Sequence, residues 1–578
     1  MAAPKALTDR GRAAAAHTHT LLLLLTLTAC TPPTPWFVDI APPANVPFAY
    51  HTGATGRLWM PEIMGGGVAL FDYDADGDLD LYFTNGNDRL PEAIDAAEGA
   101  GPTDRLYRRD PDGRYTDVTA AARIADNGYG MGVAAGDYDN DGHVDLYVAA
   151  FGPDHLLRNQ GDGTLADVSA SAGITETQWS SSAAWLDYDR DGWLDLYVAR
   201  YIAWRPDVPC QDRDGKADYC GPAAFGDVRD MLWHNEGGTR FTDASERAGI
   251  DRVTYAGLGV TVDDFDDDGW PDLFVANDGD PNVLWRNRGD GTFDNVALAW
   301  GAAYNLTGEA EAGMGVIADD LTGDGRTDVV VTHLHAETNT FYARRTAGAG
   351  FDDLTLPSGL GLPSYPLTGF GIAAFDAELD GDLDIVVANG RVHRSLPALP
   401  GAAPAAPWDA LAEPKLLQMN DGTGRFETLD IHHANDDGSC GLCADIDIAR
   451  GLAPGDLDAD GDLDLVVANI ESPARLYDNR APRQGGWLAV RAVEPRLKRD
   501  AIGARVIVDA GRRRQRRFVR TSGSYQSSVP ATVHVGLGTA TAVDGVAIWW
   551  PDGLEESFEV DCVDCAVELR RGEGVVAP

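Results

Sequence analysis

Seven stretches of this chain set carboxylates on alternate residues of a tight turn, the spacing that suits a hard divalent cation. The clearest runs Asp137-Tyr138-Asp139-Asn140-Asp141-Gly142-His143-Val144-Asp145, a D-x-D-x-D-G-x-x-D pattern followed at once by the apolar run Leu146-Tyr147-Val148-Ala149. Calcium takes about six to eight oxygens at roughly 2.3–2.6 Å, and positions 1, 3, 5 and 9 of such a loop supply them, with the backbone carbonyl of position 7. The candidate ligands are Asp72, Asp74, Asp76 and Asp80; Asp137, Asp139, Asp141 and Asp145; Asp187, Asp189, Asp191 and Asp195; and Asp264, Asp266, Asp268 and Asp272. The later loops add Asp320, Asp324 and Asp328; Asp376, Glu378, Asp380 and Asp384; and Asp456, Asp458, Asp460 and Asp464. Glycine is always sixth, where it permits a left-handed turn. Position 7 scatters over Asp, His, Trp and Arg, as expected if only its carbonyl binds.

An EF-hand opens in the same way but needs Glu at position 12 and flanking helices. Position 12 here is Phe83, Val148, Val198, Val275, Val331, Val387 and Val467, inside apolar runs, so that motif is excluded. Acidic turns that merely solvate a surface are the bland alternative. Against it, 31 of the 91 acidic residues crowd into these loops, and carboxylates about 4 Å apart repel by roughly 4 kcal/mol at an effective dielectric of about 20. Up to seven calcium ions are expected. The Asp320 loop, with Thr322 at position 3, should be the weakest site, and the longer Glu378 should distort the sixth.

The elements that carry the loops form a fixed order, and the expected class is all-β. Each loop joins a first strand to a second one, apolar on consecutive residues and therefore covered on both faces. A third strand such as His155 to Asn159, a Gly-rich turn and a fourth strand follow. Four strands per repeat, seven repeats and spacings of 50 to 80 residues predict a seven-bladed β-propeller over 36–480. The longest spacings place insertions at about Tyr201 to Asp230 and Arg391 to Pro414. The last repeat lacks its fourth strand, and the F-x-D pattern of Phe37-Val38-Asp39 predicts that the N-terminal segment supplies it, leaving no free edge.

A net charge of −45 excludes nucleic acid as a partner over most of the surface. Residues 1–29 read as an export leader: Lys5, Arg10 and Arg12, an apolar core from Leu21 to Leu27, then Leu27-Thr28-Ala29-Cys30. A generic signal peptide is one reading. The other, which the motif resembles, is a bacterial lipobox that makes Cys30 the acylated first residue, followed by a Pro-rich tether over 30–35. An exported outer-membrane or cell-surface lipoprotein is the expected location, with the anchor as its membrane contact. The other cysteines fall into local pairs, Cys210 with Cys220, Cys440 with Cys443 and Cys562 with Cys565, expected as structural disulfides; redox or zinc roles remain open for the two C-x-x-C pairs.

The repeats resemble FG-GAP/VCBS repeats, whose loops hold calcium between the first two strands. Gly65-Gly66-Gly67-Val68-Ala69-Leu70-Phe71-Asp72, Ala312-Gly313-Met314-Gly315 and Asn389-Gly390-Arg391-Val392-His393 resemble one subgroup, the cartilage acidic protein family. Residues 485–578 change character, with balanced charge and alternating β-like runs. Arg499-Asp500-Ala501-Ile502-Gly503, Gly523-Ser524-Tyr525 and Trp549-Trp550-Pro551-Asp552-Gly553 resemble the ASPIC/UnbV domain that ends that family. The basic run Gly511 to Phe518 could dock an anionic glycan or a neighbour's acidic propeller, or form a charged hairpin that guards a sheet edge. At least one ring of Trp549-Trp550 is expected in the core. The resemblance implies calcium binding and secretion and names no ligand. A binding or adhesion module for an unknown protein or glycan is expected. The alternative is a propeller enzyme, a hydrolase or lyase on glycans, near the axis at His333, His335, Glu337, Glu309 or Glu311, although no nucleophile–base constellation is visible and no catalytic residue is assigned.

Overall fold

The computed structural model describes residues 35–88, 103–125, 128–175, 177–212, 214–429 and 440–576. The leader, Cys30 and residues 31–34 lie outside them. Among the described residues, seven four-stranded antiparallel sheets follow the repeats. In the second repeat the strands are Gly130–Gly136, Asp145–Ala150, His155–Asn159 and Leu165–Asp167, each paired with the next. The second strand is buried on every residue, because its two faces pack against neighbouring sheets.

The first strands lie side by side in a closed ring, and the seventh, Ala449–Gly455, packs on the first, Val68–Phe71. Glycine makes this approach possible. A Cβ on Gly132 would lie 2.2 Å from the Ser181 carbonyl oxygen, one on Gly315 2.1 Å from that of Phe370, and one on Gly451 2.4 Å from that of Gly66. Each of these glycines touches the backbone of the next sheet, so a side chain there would push two sheets apart.

The ring is closed by residues distant in sequence. Phe37–Asp39 pairs antiparallel with Arg475–Asn479 as the fourth strand of the last sheet, and Asp39 accepts from Arg475 at 2.9 Å. The sequence pattern predicts this pairing. The first insertion is clasped by Cys210–Cys220, and the other two predicted disulfides, Cys440–Cys443 and Cys562–Cys565, are also formed. A short strand of the second insertion, Glu413–Pro414, pairs with Ile446–Asp447.

Two further sheets form the C-terminal domain. Gly486–Glu494 is central in one and Gly545–Trp549 in the other, where Arg505–Ala510 lies beside it, with Leu488, Val490, Val506, Val535 and Ile548 packed between the sheets. Trp550 is buried and donates its indole N–H to Glu556 at 2.8 Å, while Trp549 stays 39% exposed. Arg513–Phe518 is an edge strand; Arg513, Arg516 and Arg517 turn onto the chain's own propeller, while Arg514 pairs with Asp509 inside the domain. Of the two readings of this run, the charged hairpin at a sheet edge is the one found.

Candidate calcium loops and the domain seated on them

All seven loops share one hydrogen-bonding scheme. In the second, Asp137 accepts the N–H of Asp141 (3.2 Å) on one oxygen and that of Gly142 (2.9 Å) on the other. Asp141 accepts from the His143 N–H at 3.0 Å. Asp145 binds the Tyr138 N–H at 3.2 Å and the third-strand Asn159 N–H at 2.8 Å. Positions 1, 5 and 9 thus cap the turn's own backbone before any ion is considered. In five repeats the third-strand asparagine also donates its amide to position 2 of the preceding loop: Asn159 to Tyr73, Asn235 to Tyr138, Asn287 to Tyr188, Asn420 to Leu321 and Asn479 to Ala377. Loop shape is therefore locked between neighbours.

Position 3 differs. Asp139 Oδ1, Asp189 Oδ1 and Glu378 Oε2 are buried atoms with no hydrogen-bond partner, and so is Asp462 Oδ1 at position 7 of the last loop. A buried carboxylate oxygen without a donor costs about 1–3 kcal/mol or more, and a bound cation removes that cost. The donor sets fit one. Ligand atoms of Asp72, Asp74 and Asp76, of Asp137, Asp139 and Asp145, of Asp187, Asp189 and Asp191, and of Asp264, Asp266 and Asp272 lie within 4.8 Å of one another. Burial, then the neighbouring carboxylates, hold Asp137 up at about 7. Burial likewise holds Asp80, Asp195, Asp328 and Asp376 up at about 7, and Asp187, Asp264 and Asp456 at about 6.

Each predicted ligand lies in its loop, and the two loops expected to be weak depart from the common pattern. Thr322 offers a hydroxyl where the other loops have a carboxylate, and its N–H is drawn to Asp328 Oδ2 at 3.0 Å. Glu378 sits against Asp384, and burial together with Asp380 pushes Glu378 up to about 7. Sequence reasoning missed the third-strand cations beside position 3. Arg158 lies 2.8 Å from Asp139, Arg286 2.6 Å from Asp266, and His234 3.5 Å from Asp189 and 3.1 Å from Asp195. His333 is buried, faces the Thr338 carbonyl at 2.9 Å and lies 3.8 Å from Glu311.

The C-terminal domain covers the loop face and fills the axis from that side. Its Thr521 to Ser528 segment enters the ring. The Ser528 N–H binds Val68 O (2.9 Å), Gln526 O accepts from Val133 (3.2 Å), and the Gln526 N–H binds Ser182 Oγ (3.1 Å). Ser524 exchanges backbone bonds with Val316, while Ser524 Oγ accepts from Ile372 and Ser527 Oγ from Leu452. Six of the seven first strands are thereby satisfied by one loop. At its tip Tyr525 is fully buried, stacks edge-on to Phe370 at 4.9 Å and donates to Met64 O at 2.8 Å. Ser524 and Gln526 hold left-handed φ values of 71° and 56°, strain that the surrounding bonds sustain.

Around this plug, arginines grip acids of the propeller. Arg505 pairs with Asp264; Arg516 with Asp267 (2.5 Å) and Asp263 (3.8 Å); Arg520 with Asp263 (3.0 Å) and Asp319 (3.5 Å); Arg517 with Asp319 (3.5 Å); and Arg513 with Asp382. Asp263 and Asp319 stand immediately before position 1. Only the fourth and fifth repeats double the aspartate there, a signal that the sequence reading passed over.

Comparison with known proteins agrees with this anatomy. An FG-GAP-like repeat model matches residues 72–148, 137–198 and 264–331, and an ASPIC and UnbV model matches 494–575. Cartilage acidic protein 1 of Homo sapiens is 27% identical over 370 residues, covering 61% of this chain and 51% of that protein. Its Xenopus tropicalis counterpart is 26% identical over 376 residues, 60% and 51% respectively. The chain spans about half the length of the curated relatives it matches. Among solved structures, the BP39L lectin from Burkholderia pseudomallei is 10% identical with a TM-score of 0.42, covering 72% of this chain and 97% of that one. An Agrocybe aegerita lectin is 16% identical with a TM-score of 0.37, covering 65% and 88%.

Proposed function

We propose that this chain, which carries FG-GAP-like repeats and an ASPIC and UnbV domain, is a calcium-binding, exported lipoprotein serving as a binding or adhesion module. Its domain set is that of a propeller-type binding module. The observation that carries the calcium reading is the set of partnerless buried oxygens at position 3, on Asp139, Asp189 and Glu378, in acidic loops whose other carboxylates are already fixed by backbone N–H groups.

A calcium ion there would supply positive charge and structural cross-linking. The chain's own residues do the rest. Positions 1, 5 and 9 preset the turn, position 3 is the adaptable ligand, and Arg158, Arg286 and His234 temper the surplus charge of their loops. Anchoring through Cys30 follows from the lipobox-like motif, with the tether holding the propeller off the membrane.

Melting the protein across a calcium titration tests the metal. Ligand binding to the native state alone stabilises it by RT ln(1 + [L]/Kd), about 2.7 kcal/mol at a hundredfold excess over Kd. A melting curve indifferent to calcium and to chelator refutes the calcium reading. Fatty-acid labelling of wild type against Cys30→Ser tests the anchor, and equal labelling of both refutes it.

A further inference from the structure

The C-terminal domain is fastened unevenly. Over the fourth and fifth loops Arg505, Arg516, Arg517 and Arg520 close the interface. Over the first and second loops the domain stands off and encloses a cavity of about 370 Å³, within the roughly 300–1,000 Å³ of small-molecule sites, which favour domain interfaces. One wall carries Asp72, Asp76 and Asp137 of those two loops, and the opposite wall carries Arg491, Lys498 and Arg499.

The three cations of the domain's wall are held differently. Arg499 is 5% exposed and donates to Asn140 Oδ1 (2.8 Å), Asp500 O (3.1 Å) and Gly192 O (3.3 Å), with no carboxylate in ion-pair range among the described residues. Its nearest anions, Asp187 and Asp137 of the loops beneath it, act on it through space without a direct pair. Lys498 makes no hydrogen bond or ion pair among the described residues. Its turn is held over the second loop, and a Cβ on Gly142 would lie 3.7 Å from the Lys498 carbonyl oxygen. Lys498 keeps a left-handed φ of 55°, a conformation uncommon for lysine. Arg491 stands at the rim, tied to Asp500 at 2.6 Å. Between the walls Leu79 and Pro530 give an apolar floor.

We propose that this interdomain cavity binds a small carboxylated saccharide, with its carboxylate between Lys498 and a calcium ion of the first or second loop and its ring face on Leu79 and Pro530. The inference rests on the calcium reading above. Each loop supplies about five of the roughly six to eight oxygens that calcium takes, so an outside oxygen is accommodated. A flexible dicarboxylic acid offers no apolar face for the floor, and a neutral sugar offers nothing to the cationic wall.

Isothermal titration of the full chain with digalacturonic acid, in calcium and in chelator, tests this against neutral galactobiose. Binding is expected only for the acid and only with calcium, and about tenfold weaker, or 1.4 kcal/mol, in Lys498→Asn and in Arg491→Ala. Asparagine tolerates the left-handed φ, so Lys498→Asn should melt with the wild type. Absent binding, equal binding of the neutral sugar, or unchanged affinity in both variants overturns the proposal. A calcium-only titration separates the two levels: calcium binding without sugar binding fells this inference alone, and the absence of both fells the calcium reading with it.

Discussion

The C-terminal domain holds the propeller in two ways that differ in kind. At the axis, Thr521 to Ser528 uses neutral hydroxyls and backbone groups, buried and matched strand by strand. At the rim, arginines meet aspartates, many of them partly exposed. Neutral hydrogen bonds in a buried ring depend on shape and hardly on salt, whereas exposed charge pairs are weakened by screening. The axis therefore fixes where the domain sits, and the rim mainly fixes its rotation and its closeness to the loops.

The largest effect should come from removing the plug's tip. Tyr525→Ala deletes a fully buried ring packed on Phe370 and strands the Met64 carbonyl. A loss of about 3–5 kcal/mol is expected in denaturant unfolding, with no sensitivity to ionic strength. A loss under about 1 kcal/mol would show that the plug is not the domain's main attachment.

Next comes the one rim pair that resembles the axis in burial. Arg505 and Asp264 have side chains only 6% and 2% exposed, so Arg505→Met leaves a buried carboxylate in the fourth loop. Breaking such a pair costs about 3–5 kcal/mol. Calcium should restore part of this loss by taking up the freed charge, a rescue that Tyr525→Ala lacks. Equal calcium dependence of the two variants would erase the distinction drawn between axis and rim.

Much of this was legible in the sequence, and what was not shares one cause. The loops, strands and closing segment are written locally: D-x-D-x-D-G names the turn, the apolar run after it names the covered strand, and Phe37-Val38-Asp39 repeats the F-x-D of other fourth strands. The plug is not local. Gln526 meets Ser182 across 344 residues, and a Ser/Thr/Gly stretch reads as a solvated turn until a ring of open strand edges surrounds it. The arginines of 513–517 were visible as charge, but which acids they choose depends on how the domain is seated. The doubled aspartates at Asp263 and Asp319 were the available clue.

His534 gives a pH handle on the rim. Burial, then Arg517 and Arg483, lowers it to about 4, and it faces the Gly461 carbonyl at 2.9 Å beside the Trp487 ring. The folded state thus favours neutral imidazole. Its contribution is full above the unfolded value near 6.5 and is lost as pH falls toward about 4, reaching roughly 2 kcal/mol at about pH 5. His534→Asn keeps a donor for Gly461 without the titration. The gap between wild type and variant should therefore narrow or reverse between about pH 7 and 5, and a constant gap in urea midpoints would remove His534 from the account.

The smallest effect should come from Arg513, whose side chain is 43% exposed where it meets Asp382. Exposed pairs contribute about 0–1 kcal/mol, so Arg513→Ala should barely move the unfolding midpoint, and the small shift should vanish at high salt. Asp382 is position 7 of the sixth loop, where a calcium ion takes the backbone carbonyl and leaves the side chain free. Calcium affinity of that loop should consequently be unchanged in Arg513→Ala. A loss comparable to that of Arg505→Met would mean that exposed and buried arginines hold the domain alike, and the axis would then lose its separate role.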